Sequence, residues 1–346
     1  MPETPHSVEA FFTTQHCVSA SEFINALSPR SDSFPSAFPG AWVFRGHSSD
    51  SFQLLPSSIR NGSQALSDLT LYPIQTNQDQ VSAECKVLKE FLKVADSIGL
   101  TLPEDTQSLR RGLESPEKPI ALWPPNEMLS LMALAQHHGV PTRLLDWSRS
   151  PLKAAWFAAT GAPVPDDSSG NLSVWAVSIE LLEMIGDEPR PFMVITAPSA
   201  TNSNLRAQEG LFTLVRNISC DDLPIDRTPF DELLRTSFLK YRVQAPAPWF
   251  HRVTLPRVEA ANLEYGLALE GITRATLFPD FYGVVGAMKD AVRWQKGDGP
   301  GAQRAEARLG SLMISHQTTI DVRHLFPEAT PSHADVAEPT TNTNPD

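Results

Sequence analysis

The sequence predicts an α/β or α+β protein with a central mixed β-sheet flanked by helices, one main domain and disordered ends. Three observations carry this: strand signals at Ala41–Phe44, Leu172–Ile179, Pro191–Thr196 and Leu211–Val215; helical periodicity between them; and a composition of 41% hydrophobic and 20% charged residues, ordinary for a globular chain. At 346 residues the chain can bury a sizeable core.

Residues 1–36 mix Ser, Pro and Phe, with a short amphipathic stretch at Ser21–Leu27, and read as a loosely docked lead-in. Ala41-Trp42-Val43-Phe44 is the first strong strand signal. It runs into Arg45-Gly46-His47, where the glycine permits a sharp turn. From Val81 to Ile98 apolar residues recur three or four apart, giving one helix face that ends at Gly99. A second helix is framed by Asn126 as cap, Gly139 as stop and Pro141 as barrier; it is apolar all round from Met128 to Ala135 and carries Gln136 and His137 at its last turn. Ser150-Pro151 opens a third, which runs to Thr160 before Gly161. Residues 258–270 and Phe281–Trp294 are helical by periodicity, and residues 328–346 have too little to bury to order.

The formal charge is −12, of which residues 1–36 carry −3 and residues 325–346 carry −4, leaving about −5 for the body. Such a balance has no general attraction for a nucleic-acid backbone, so nucleic acid is an unlikely partner. Cys17, Cys85 and Cys220 are far apart and read as reduced thiols. No basic leader precedes an apolar run, and the longest apolar run, Ala154–Ala159, is too short for a bilayer. The expectation is a cytoplasmic, membrane-free protein. His137 and His138 are adjacent, about 100° apart on a helix, so no metal site is predicted there.

Polar residues gather around Arg45, from Thr142 to Ser150, and from Arg206 to Gly210. The middle cluster reads as a tight loop between two buried helices, in which a structural reading pairs Arg143 with Asp146 and buries Trp147. Arg45 suits a structural ion pair as well as a ligand clamp, His137 and Ser148 suit helix capping, and Gln208 suits satisfying buried backbone groups.

Phe44-Arg45-Gly46, Leu54-Leu55-Pro56-Ser57, the block Ala135–Ala158, Arg206-Ala-Gln-Glu-Gly-Leu-Phe212 and Leu277-Phe278-Pro279-Asp280 resemble, in order, the successive motifs of the FRG domain family over about residues 38–290. His138 stands where that family more often has tyrosine. The resemblance implies an FRG-like domain over residues 37–295, with an extension at 296–327. A fainter resemblance is to ADP-ribosyltransferases of the arginine, serine, glutamate type, carried by Phe44-Arg45-Gly46, Asp146-Trp147-Ser148 with Ala154–Phe157, and Gln208-Glu209-Gly210. Glu209 directly follows Gln208 instead of standing two positions on, which in a strand would send it to the opposite face.

That second resemblance implies NAD as substrate, with no permanently bound cofactor. Cleaving the nicotinamide–ribose bond passes through an oxocarbenium-like state that a fixed carboxylate, Glu209 or Asp146, would stabilise, with Gln208 and His137 as further catalytic candidates. Arg45 beside Gly46, with Arg143 or Arg206, would hold the pyrophosphate, Ser148 would line the same site, and Trp147 or Phe212 would stack on the ring. A protein could be the ADP-ribose acceptor. Two other classes stay open: a non-catalytic nucleotide- or protein-binding module, and a metal-free nuclease using His137 and Asp146.

Overall fold

The computed structural model describes residues 12–28, 31, 33–34, 40–60, 66–114, 123–161, 170–184, 192–196, 203–216, 222–240, 249–296 and 299–315. The tail expected to be disordered, 328–346, lies outside them, as do residues 1–11 of the lead-in.

The strands are β1 (Phe12–His16), β2 (Trp42–His47), β3 (Leu144–Ser148), β4 (Asn171–Ser178), β5 (Phe192–Ile195), β6 (Gly210–Val215) and β7 (Phe250–Pro256). They form one seven-stranded sheet in the order β1-β7-β4-β2-β3-β6-β5. β1 runs parallel to β7 and the remaining pairs are antiparallel, so the sheet is mixed as expected. The helices are α1 (Ala20–Ala26), α2 (Asn77–Ser97), α3 (Gln107–Glu114), α4 (Leu129–His137), α5 (Pro151–Thr160), α6 (Ile179–Met184), α7 (Ser203–Ala207), α8 (Phe230–Lys240), α9 (Ala260–Leu269), α10 (Arg274–Leu277), α11 (Phe281–Gln295) and α12 (Pro300–Ser315).

The local signals place several ends well. α4 stops where Gly139 takes φ +88°, and the Val140 N–H closes back on the Ala135 carbonyl. Ser150 caps α5, its side chain accepting from the Lys153 N–H with Pro151 in the first turn. Asn126 does not cap α4: it opens a single 3-10 turn, and its side-chain oxygen accepts from Arg216 instead.

Other expectations change. Within the lead-in, residues 12–26 supply an edge strand and a helix whose Phe23 is fully buried, because α1 covers apolar surface that the sheet and α9 would otherwise expose. The segment 144–148 is a strand near the middle of the sheet, not a loop. Gly46 makes no turn. It sits inside β2, where a Cβ would stand 1.9 Å from the Ala154 carbonyl oxygen and 2.7 Å from the Ala158 nitrogen, so the missing side chain lets α5 lie directly on the strand. α11 is followed by α12 within the predicted extension.

Alternation sorts the core. On one face α1, α5 and α9 cover β2, β4 and β7 through Phe44, Ala176 and Leu255, while α2 and α4 cover β3 and β6 through Leu144, Phe212 and Leu214. On the other face α6 and α8 pack over Val43, Leu145, Trp147 and Leu211. The first face thus carries two separate helix groups, with the line between β2 and β3 as their boundary. No helix of the described residues is long and apolar enough to cross a membrane.

Candidate functional site: a cleft at the β2/β3 seam

β2 and β3 share one register pair, Phe44 with Ser148, whereas β2 pairs with β4 from Trp42 to His47 and β3 pairs with β6 along its whole length. Past that pair the strands part, and the freed Asp146 carbonyl needs another donor. Arg45 supplies it: Nη1 donates to the Asp146 carbonyl at 2.6 Å and lies 3.5 Å from the carboxylate, while Nε donates to His47 Nε2 at 3.2 Å. The Asp146 side chain is 60% exposed, so this ion pair is screened and adds little beyond the carbonyl bond.

A cavity of about 430 Å³ opens on this seam, lined by Arg45, Gly46, Gln136, His137, Asp146, Ser148 and Gln208 among others, with Phe157 and Phe278 as aromatic walls. An adjoining cavity of about 490 Å³ shares His137, Asp146 and Gln208 and is otherwise mostly apolar, with Leu102, Leu134, Leu205 and Phe212. A third, of about 210 Å³, lies toward Arg45, Ser57, Arg60 and Gln136 and also reaches Asp146. Arg45, Asp146 and Gln208, far apart in sequence, therefore converge in one cleft.

The Asp146 carboxylate is held in place. Gln136 Nε2 donates to Oδ1 at 2.5 Å, and the Gln136 carbonyl oxygen in turn accepts from the Thr142 hydroxyl. Ser148 Oγ donates to the Gln208 carbonyl at 2.7 Å and receives the Ser150 N–H, so it ties β3 to the turn after α7 rather than capping α5. Gln208 Nε2 reaches the Leu277 carbonyl at 3.3 Å.

Three candidates, Glu209, Arg143 and Arg206, lie outside these cavities, and a fourth, Trp147, lines the two larger ones with its indole turned away from them. Glu209 follows a turn, not a strand, with φ +50°; its carboxylate accepts from Lys153 at 2.8 Å, and it lines none of the three cavities. Arg143, just before β3, pairs with buried Glu84 at 2.6 Å instead of with Asp146, its odd spacing of three from Asp146 sending the two side chains to opposite faces along an extended chain. The Trp147 indole is buried on the α8 side of the sheet, donating to Thr213 Oγ1 at 2.8 Å, so it is no stacking wall. Arg206 is exposed on α7 outside the cavity linings. Gln136, Phe157, Phe278 and Arg60 were not among the predicted site residues; Gln136 stood at the last turn of a buried helix and Phe157 and Phe278 within quoted motifs, whereas Arg60 carried no such signal.

Burial, then the Arg45 and Arg60 guanidiniums, hold the His47 pKa down to about 3. The imidazole is therefore neutral, with Nε2 free to accept from Arg45. Since the folded pKa lies below the unfolded one, this stability is fully present above about pH 6.5 and is lost as pH falls toward 3. The slope of unfolding free energy between pH 6 and 4 is expected to flatten by roughly 1 kcal/mol per pH unit in His47→Gln. An equal slope in both proteins would remove His47 as the acid-sensitive group. His137 is also shifted down, by burial and then by His138, which favours a neutral ring at the cleft.

The fold and cleft define a mixed-sheet α/β protein whose two helix groups part over a split between central strands. Residues 40–167, running from β2 past α5, match the family model of the FRG domain, and the chain is an FRG domain-containing protein. The motifs at 206–212 and 277–280 fall beyond that match. No curated protein and no solved structure matches the chain.

Proposed function

We propose that the seam cleft binds a nucleotide of the NAD type and that the protein cleaves it or transfers its ADP-ribosyl group. The observation that carries this is the convergence of Arg45, Asp146 and Gln208 on one cavity beside a largely apolar slot. An apolar slot with Phe212 suits a flat base, and Phe157 and Phe278 suit a second ring. In this reading Asp146, oriented by Gln136, stabilises positive charge growing on the ribose, and Gln208, which lines the same cavity, meets ribose hydroxyls through its side-chain carbonyl oxygen. Glu209, engaged with Lys153 outside the cleft, does not take that role in this reading.

The expected result is release of nicotinamide from NAD by the wild-type protein and a fall of about a hundredfold or more in Asp146→Asn, which keeps the shape and removes the charge. NAD that raises the melting temperature but stays intact would favour a second reading, a non-catalytic nucleotide-binding module. The position of Glu209 is the observation in its favour. No turnover and no thermal shift at millimolar NAD would sink both.

A further inference from the structure

Arg45 is a constrained clamp: Nε is committed to His47 and Nη1 to Asp146, which leaves Nη2. Arg60 differs. It follows the 3-10 turn Ser57–Ile59 and commits only Nε, to the Leu55 carbonyl at 2.7 Å; among the described residues no protein acceptor is recorded for its Nη1 and Nη2. That single bond tethers the guanidinium while leaving both terminal amino groups as donors. Arg45 and Arg60 line the same 210 Å³ cavity with Asp146 as its one carboxylate, so two positive charges face one negative charge in a chain of net charge −12. Although Arg60 stands exposed at the rim, partial loss of water, then Arg45, lowers its pKa, and Asp146 only partly offsets this. Such a pair is relieved by an anion.

Resting on the reading of the cleft as a nucleotide site, we infer that Arg60 is its phosphate-binding residue, with its two terminal amino groups and Arg45 Nη2 gripping a phosphate or diphosphate group in the 210 Å³ cavity. The ligand then runs from this cavity past Asp146, its apolar ring lying toward Phe212. The fork geometry suits paired phosphate oxygens, which a lysine would not match. Selectivity for a phosphorylated ligand over its bare nucleoside is set by Arg60.

The test is calorimetric titration of the full chain with inorganic pyrophosphate, ADP-ribose and adenosine, on wild type, Arg60→Gln and Arg60→Lys. Wild type is expected to bind pyrophosphate and ADP-ribose. Arg60→Gln should lose at least tenfold for both and less than twofold for adenosine, with Arg60→Lys between, and all three proteins should melt together because Arg60 lies at the rim. Arg60→Gln binding ADP-ribose as wild type does, losing adenosine in equal measure, or a wild type that binds neither anion, would overturn the inference. Arg60-dependent binding of pyrophosphate without binding or turnover of NAD would leave it standing and bring down the proposed function instead.

Discussion

Glu84→Ala is expected to cost about 3–5 kcal/mol of folding stability, the range for removing one partner of a buried ion pair. Glu84 is 3% exposed and accepts from four donors: Ser58 Oγ at 2.8 Å, Gln80 Nε2 at 2.7 Å, Trp123 Nε1 at 2.5 Å and Arg143 Nε at 2.6 Å. Alanine would leave the Arg143 charge and the Trp123 indole buried without an acceptor, the costly side of the asymmetry between making and losing a hydrogen bond. Glu84→Gln keeps an acceptor oxygen and should lose less. Urea unfolding of the three proteins reads this directly, and a cost below about 1 kcal/mol in the alanine variant would show that water reaches the network. Since the network joins α2 to the turn at Ser58 and to the start of β3, its loss should also loosen the neighbouring Arg60 and Thr142.

The second large effect is expected at Gly46. Gly46→Ala introduces a Cβ that meets backbone atoms of α5, which cannot swing aside as a flexible side chain would, so α5 must lift off the sheet. The expected cost is about 3 kcal/mol, the upper part of the overpacking range, and Gly46→Val should cost more. Lifting α5 also moves Phe157 and widens the seam, so ligand binding should weaken beyond what the lost stability accounts for. A melting temperature within a degree or two of wild type would mean that the helix and strand are not in the close contact described.

The sequence by itself determined several helix ends and four of the seven strands. Gly139 and Ser150-Pro151 act on the residues beside them, through left-handed φ, capping and a preset φ, so no distant partner is needed to read them. It also marked the segments that meet in the cleft. The tertiary structure alone decided how they meet. Residues 144–148 looked like a loop because their alternation, Leu145 and Trp147 against Asp146 and Ser148, lasts only five residues between two helices and is crowded by charged neighbours. Faces then separated neighbours: Asp146 turned to the cleft, Arg143 to Glu84 and Trp147 to the far core, an assignment set by pairing with β6 some sixty-six residues away. β1 and β7 gave little local signal and are held by pairing with each other and with β4. Arg60 had no motif at all; its place beside Arg45 arises from the split between β2 and β3 and from a 3-10 turn anchored on Thr142, contacts that span the chain and leave no periodic trace in it.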